Sequence, residues 1–365
     1  MLFSADCGGG NEGTTPAIDN YIAYFAEYGM GKIYAASINP NTGVLTEIAG
    51  SPFNADGNPT SIAVEPSGKF IYAASPTTGT VSAYSINSST GALTKISGSP
   101  FSDGGYYQGY DYPHTVVIDP TGKFLYVTIF EYNYVASFSI NSATGALNKI
   151  GSGGPPFFGP TGYQPYAIAI DPTGKFAYVV NNGSGDVTGC SIDPTTGALT
   201  EIAGSPFAAG AGHFSVNIDA TGKFLYLQHM NGVSAYRIDP TAGALTEIAG
   251  SPFAASGHNY YNSVVIEPTD KFIYMTDMDY GYVYGFGIDS ATGALAGIVG
   301  SPFALGTYDA IGVDPAGKFL YFRLPGGDVS GYSINQLTGA LTQIAGSPFL
   351  QGASPYSIAT VHIKR

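Results

Sequence analysis

Histidine and arginine are the scarce residue types in this sequence that could carry acid–base or charge chemistry. Four of the 5 histidines fall near the ends of short apolar segments: His114, His213, His229 and His258. Arg323 stands near the end of another such segment. Because an imidazole can take a proton from water and a guanidinium can stabilise an oxyanion, His114 and Arg323 are the candidate catalytic residues for a hydrolysis.

Three of the histidines offer a second chemistry, the binding of a divalent metal. His213 and His229 belong to one repeat of the sequence and His258 opens the next, so two or three imidazoles could face one ion. No spacing typical of a metal motif, such as HExxH, occurs among them. The alternative is that each histidine binds backbone or water separately. We predict no cofactor, with a divalent metal at these histidines as the other interpretation.

Four irregular segments concentrate tyrosines beside short polar residues. The predicted ligand-binding residues are Tyr106, Tyr107, Tyr110, Tyr112, Tyr163, Tyr166, Tyr260, Tyr261 and Tyr280. Aromatic rings supply stiff contact area while amides and carboxylates fix orientation, which suits a neutral glycan or a protein surface. The alternative is that these tyrosines pack on one another.

The segments that position these residues are repeated along the chain. DPTGKFLYV at 119–127 recurs with small changes, and the tripeptide GAL or GVL occurs in seven copies, 46 to 54 residues apart. That interval is the size of a four-stranded propeller blade. Pro120 and Gly122 fit a tight turn between the first and second strands of a blade. The sequence therefore predicts an all-β fold, a seven-bladed β-propeller of four-stranded blades.

The two ends of the chain predict how the ring closes. Only two strand-like runs precede the first GVL, so the first blade lacks its innermost strand. The C-terminal run 357–363 has no other blade to join, and we predict that it completes the first one. Residues 21–365 are then one domain, preceded by a flexible segment 1–20.

The outer strands of the blades predict how the edges are protected. Six of them carry a charged or polar residue at the same place: Glu47, Lys95, Lys149, Glu201, Glu247 and Gln343. The seventh has Gly297, within the segment 294–299. That edge is either harmless, because a short Gly-rich strand pairs poorly, or it is where a second copy of the chain docks.

Composition limits the partners and the compartment. The net charge is −13 and the basic residues form no stripe, so nucleic acid is not a predicted partner. The sequence has no run of apolar residues long enough for a transmembrane segment. Cys7 precedes a Gly-rich stretch similar to the cleavage site of a bacterial lipoprotein, the alternative being an ordinary flexible terminus. Low charge and few cysteines favour a location outside the cytoplasm.

Together with YVVNNGSGDVTGCSID at 178–193, these motifs resemble the seven-bladed β-propeller lactonase family, which includes 6-phosphogluconolactonase-like and carboxymuconate-cyclase-like proteins. The resemblance covers roughly residues 21–365 and implies lactone hydrolysis at one mouth of the central channel. His114 matches the second histidine of the family signature HxHSV. The other polar positions of that signature hold Tyr112, Ile129, Asn133 and Tyr134.

A second family signature places an arginine six residues before the turn proline. In the repeats of this chain that position is never arginine. It holds Thr60, His114, Tyr166, Phe214, Asn262 or Asp309. A lactone with a charged acid group calls for such a cation. The sequence therefore favours a non-catalytic extracytoplasmic propeller that binds a glycan or protein, or itself, through Tyr-rich loops. The alternative is a lactonase-type hydrolase or isomerase.

Overall fold

The computed structural model describes residues 20–102, 113–151, 161–210, 212–229, 232–254, 261–277, 279–307 and 310–364. The predicted N-terminal tether at Cys7 lies outside these residues. The part of the chain that the structure describes is built of strands and turns, and no helix in it is long and apolar enough to cross a membrane.

Seven antiparallel sheets form the blades, each with four main strands in the same order from the channel outwards. The innermost strands are β5 (Ser61–Val64), β10 (Pro113–Ile118), β14 (Pro165–Ile170), β19 (His213–Ile218), β24 (Tyr261–Ile266), β29 (Ile311–Val313) and β33 (Pro355–Ile363). The second strands are β1 (Asn20–Glu27), β6 (Phe70–Ser75), β11 (Phe124–Ile129), β15 (Phe176–Asn181), β20 (Phe224–His229), β25 (Phe272–Asp277) and β30 (Phe319–Arg323). The third strands are β2 (Lys32–Ile38), β7 (Thr80–Ile86), β12 (Tyr134–Ile140), β16 (Asp186–Ile192), β21 (Gly232–Ile238), β26 (Tyr282–Ile288) and β31 (Val329–Ile334). The outer strands are β3 (Leu45–Glu47), β8 (Leu93–Lys95), β13 (Leu147–Lys149), β17 (Leu199–Glu201), β22 (Leu245–Glu247), β27 (Leu295–Gly297) and β32 (Leu341–Gln343).

The C-terminal strand closes the ring as predicted. β33 pairs antiparallel with β1, with Tyr21 opposite His362 and Tyr24 opposite Ala359. Tyr21 and His362 also stack, with ring centroids 4.2 Å apart. β33 packs between β29 of the last blade and β5 of the second. Both faces of every sheet are therefore covered, which accounts for the apolar residues on both faces of the second strands.

A repeated tyrosine in each second strand joins neighbouring blades. These tyrosines are fully buried. Their hydroxyls donate to glycine carbonyls of the next blade: Tyr24 to Gly91, Tyr72 to Gly145, Tyr126 to Gly197, Tyr178 to Gly243, Tyr226 to Gly293, Tyr274 to Gly339 and Tyr321 to Gly43. The recurring Gly-Ala-Leu turn thus satisfies a buried hydroxyl besides reversing the chain.

The repeated DPTG turn is held by its acidic residue. Asp119 is buried, and its carboxylate accepts the backbone N–H groups of Thr121, Lys123 and Phe124 at 2.6–3.0 Å. Gly122 has φ 70, the left-handed conformation predicted for this position. The turn acids are therefore structural, and they define the face of the ring opposite to the start of the innermost strands.

A short fifth strand after the outer strand is a feature that the sequence did not predict. It begins at the phenylalanine of a Ser-Pro-Phe motif, which recurs after the outer strands, and pairs with the third strand of its own blade. These strands are β4 (Phe53–Asn54), β9 (Phe101–Ser102), β18 (Phe207–Ala208), β23 (Phe253–Ala254) and β28 (Phe303–Ala304). The serine of the motif accepts a backbone N–H of the third strand, as Ser51 does from Ala35 at 3.1 Å. In these five blades the motif therefore fastens the crossover to its blade.

Candidate functional site

The channel between the innermost strands holds a cavity of about 500 Å³. We call its mouth the end at which the innermost strands begin, where Thr60, His114, Tyr166 and Tyr356 line it. Among the described lining residues there is no Lys, Arg, Asp or Glu. The internal segments outside the described residues contain no Lys or Arg in their sequence. In its described part the mouth is therefore lined by hydroxyl, aromatic and imidazole groups and by no charged side chain.

His114 is the one histidine of the described lining. It is the second residue of β10, and its ring centroid lies 3.8 Å from that of Tyr166 and 6.3 Å from that of Phe130. The hydroxyl of Thr60 donates to the His114 carbonyl at 3.2 Å, across the boundary between two blades. The imidazole is therefore packed between aromatic rings at a position fixed by its own strand and by the preceding blade.

The surroundings of His114 determine its charge. Burial lowers the pKa of the imidazole to about 4, while a hydrogen bond to the backbone of Tyr166 acts in the opposite direction. The ring is therefore neutral at pH 7, and one of its nitrogens has a lone pair that can accept a proton.

Hydroxyls along the channel connect neighbouring blades. Thr115 donates to the carbonyl of Tyr166 at 2.9 Å. Ser61 acts in the opposite sense, because its oxygen accepts the N–H of Val116 at 3.1 Å. Since a hydroxyl has one hydrogen and two lone pairs, that bond leaves the hydrogen of Ser61 able to donate. Ser61 also lines the cavity, on the strand next to that of His114.

Arg323 lies beside the cavity rather than in its described lining. Its guanidinium carbon is 5.2 Å from the centroid of the Tyr356 ring, and Nη2 donates to Ser354 Oγ at 3.4 Å. Tyr356 itself lines the mouth. The structure therefore places His114 and Arg323 at the same end of the ring, with Arg323 reaching the cavity through its contact with Tyr356.

The predicted metal ligands are only partly described. His213 and His229 are opposite each other in the β19–β20 ladder. The side chain of His213 and the whole of His258 lie outside the described part of the chain. His229 is buried, and burial lowers the pKa of its imidazole. No group of three or more His, Cys, Asp or Glu in the described residues could hold a metal ion. The metal site stays a prediction.

The predicted ligand-binding tyrosines divide into three sets. Tyr106, Tyr107, Tyr110, Tyr112 and Tyr260 lie outside the described residues, as does the side chain of Tyr261. Tyr163 and Tyr280 are 57% and 53% exposed. Tyr166 lines the cavity, as does Tyr356, which the sequence analysis did not single out. Tyr356 lies in the one innermost strand that is not followed by an acidic turn of the DPTG, EPSG, DATG or EPTD kind, so the repeat gave no marker for it.

Fold and site together define a β-propeller with a channel mouth whose described lining is uncharged and rich in hydroxyl groups. Residues 19–360 match the family described as Lactonase, 7-bladed beta-propeller. The chain belongs to that family.

Solved structures and one curated relative agree with this assignment. A candidate 6-phosphogluconolactonase of Bacteroides fragilis has a TM-score of 0.78 at 21% identity, covering 95% of this chain and 99% of that one. The periplasmic gluconolactonase PpgL of Pseudomonas aeruginosa has a TM-score of 0.75 at 16% identity, covering 94% and 99%. At these identities the likeness shows the fold alone. A 6-phosphogluconolactonase of Formosa agariphila is 39% identical over 88 residues, 23% of this chain and 23% of that protein.

Proposed function

We propose that this protein is a lactone hydrolase, with its reaction at the channel mouth and His114 as the general base. The observation that carries the proposal is the neutral imidazole of His114 in the lining of the cavity. Membership of the lactonase family supports this alternative over the non-catalytic binding that the sequence analysis favoured. The names of the relatives in the comparisons support the same reaction class.

The chemistry needs one proton acceptor and one water. The imidazole of His114 takes a proton from water as the water oxygen bonds to the lactone carbonyl carbon, which gives a tetrahedral oxyanion. The C–O bond to the ring oxygen then breaks, and the imidazolium returns its proton to that oxygen. The product is the open-chain hydroxy acid, and the histidine is neutral again.

Hydroxyl donors would stabilise the oxyanion in place of a cation. Ser61 is our candidate. Its oxygen accepts the N–H of Val116, and that bond leaves the hydroxyl hydrogen available to donate to an oxyanion. A hydroxyl in a site sheltered from water stabilises negative charge more than it would in solution. The substrate that suits such a mouth is an uncharged lactone, because the described lining has no cation for a phosphate or a carboxylate.

The test is hydrolysis of glucono-δ-lactone and of its phosphorylated counterpart by wild type and by His114→Gln. We expect wild type to prefer the uncharged lactone and His114→Gln to lose roughly 100-fold or more in kcat, the usual contribution of a general base. Thr60→Ser, which keeps the hydroxyl on the His114 carbonyl, is the control for local disruption. Wild-type protein without activity above the spontaneous rate on either lactone would overturn the proposal.

The cellular compartment belongs to the same proposal. The solved gluconolactonase of P. aeruginosa is periplasmic. Only 11% of the residues of this chain are charged, and the chain has 2 cysteines. These observations support an extracytoplasmic location, which fractionation of the source cells would test.

A further inference from the structure

Tyr163 presents an exposed ring on a rigid support beside the channel mouth. Its side chain is 57% exposed, and its ring lies against the Cα of Gly183. A Cβ on residue 183 would collide with Cδ1 of the Tyr163 ring and come within 3.0 Å of Cε1. The glycine therefore makes room for the ring, and more than half of the residue is left exposed.

The backbone around Tyr163 is fastened on both sides. Its carbonyl accepts the N–H groups of Gly183 and Ser184 at 3.0 and 3.2 Å, and its own N–H donates to Ser184 Oγ at 3.1 Å. The next N–H, of Gln164, donates to Asn133 Oδ1 at 2.6 Å. These bonds hold the backbone that carries the ring before any ligand arrives, which lowers the entropy cost of binding.

The groups near Tyr163 are polar. Ser184 and Gln164 are uncharged, and the Asp186 carboxylate, which would lie 2.8 Å from a Cβ at residue 162, accepts a hydrogen bond from Asn181 Nδ2 at 2.6 Å. Ser184 is exposed. Gln164 Oε1 would lie 2.9 Å from a Cβ at residue 183, so the Gln164 amide lies next to the same glycine as the Tyr163 ring. An aromatic face beside hydroxyl and amide groups matches a pyranose ring, whose C–H face packs on the aromatic ring and whose hydroxyls take hydrogen bonds.

We infer that Tyr163 is a subsite for a second sugar ring, so that the preferred substrate is a lactone at the end of an oligosaccharide. The inference rests on the proposed function. Tyr163 is three residues from Tyr166, which lines the cavity, so the two Cα atoms are at most roughly 10 Å apart. Two linked pyranose rings span a comparable length. The lactone ring lies in the mouth, and the attached sugar lies on Tyr163.

The experiment compares kcat/KM for glucono-δ-lactone and cellobiono-δ-lactone. We expect Tyr163→Ala to lower the value for the disaccharide lactone about three- to tenfold and to leave the monosaccharide lactone unchanged. Tyr163→Phe keeps the ring and should behave as wild type. Gly183→Ala keeps the tyrosine but displaces its ring, so it should reproduce the selective loss. Equal kinetics on the disaccharide lactone for wild type and Tyr163→Ala would overturn the inference.

A binding measurement separates this inference from the proposed function. Saturation-transfer NMR with cellobiose and glucose needs no turnover. Cellobiose binding that is lost in Tyr163→Ala and kept in Tyr163→Phe supports the subsite, even if neither lactone is hydrolysed. Cellobiose binding that does not change in Tyr163→Ala places the sugar elsewhere and overturns the subsite, even if both lactones are hydrolysed.

Discussion

The backbone N–H of Ala220 donates to Asp270 Oδ1 at 2.9 Å, across the boundary between the fifth and sixth blades. These residues occupy the two places where the recurring turn departs from its usual Pro and Gly, in DATG at 219–222 and EPTD at 267–270. Elsewhere the proline has no N–H to satisfy. Asp270 has φ 57, which Asp tolerates better than most residues. The N–H that appears where Ala220 replaces proline is therefore satisfied by the carboxylate that appears where Asp270 replaces glycine.

A double-mutant cycle tests this pairing. Asp270→Gly alone leaves the Ala220 N–H without this acceptor, and Ala220→Pro alone removes one of the carboxylate's backbone donors while the backbone hydrogen bond from Thr221 remains. We expect each single change to cost about 1 kcal/mol in the free energy of unfolding, and the double change, which restores the usual Pro and Gly, to cost less than the sum. Urea unfolding measures the three variants. Strictly additive costs would show that the two residues do not interact.

Closure of the ring predicts a second stability effect. Tyr321 donates to the carbonyl of Gly43 at 2.7 Å, joining the last blade to the first, as Tyr126 does to Gly197 between inner blades at 2.8 Å. Tyr321→Phe and Tyr126→Phe each leave a buried carbonyl without its donor, so both should cost about 1–3 kcal/mol. A cost for Tyr126→Phe with none for Tyr321→Phe in urea unfolding would contradict a closed ring.

Arg323 provides a test of how the mouth is built. Because its guanidinium stacks on Tyr356 instead of lining the described cavity, Arg323→Gln should change kcat/KM for an uncharged lactone by less than about fivefold. Loss of the cation–π contact should lower the free energy of unfolding by about 1 kcal/mol. A loss of activity as large as that of His114→Gln would instead give Arg323 the catalytic role that the sequence analysis considered.

Gly297 allows a test of self-association. A Cβ on this residue would meet nothing within 4 Å, and Val299 nearby is 85% exposed, so the edge of β27 is open. The strand has three residues, and we expect it to pair too weakly to hold two copies of a chain with a net charge of −13 together. Wild type and Gly297→Lys should both sediment as monomers at micromolar concentration. A wild-type dimer that Gly297→Lys dissociates would show that this edge is an interface.

The sequence predicted the ring because its turns repeat. Pro120 and Gly122 have conformational preferences that do not depend on the rest of the fold, so their recurrence marks strand ends. The hydroxyl bond from Tyr72 to Gly145 spans 73 residues, and no local preference encodes it. The two-residue strand at Phe53 is too short for an alternating pattern.

The site was predictable only in part. His114 stands five residues before the turn acid Asp119, at the start of an innermost strand, and the repeat locates it. The pKa of His114 is lowered by burial, and the rings that contact its imidazole, Tyr166 and Phe130, come from other strands or loops. The absence of charge from the described lining became visible once seven strands were placed around one cavity.

The pH–rate profile of lactone hydrolysis tests the central claim, that the His114 imidazole is the base, most directly. Because only the neutral ring can accept a proton and its pKa is lowered to about 4, kcat/KM for glucono-δ-lactone should rise tenfold per pH unit below about 4 and level off above it. Circular dichroism at each pH checks that the protein stays folded. If His114 is the base, His114→Gln should lose both this rise of kcat/KM with pH and most of the activity. The same rise in His114→Gln as in wild type would contradict this claim.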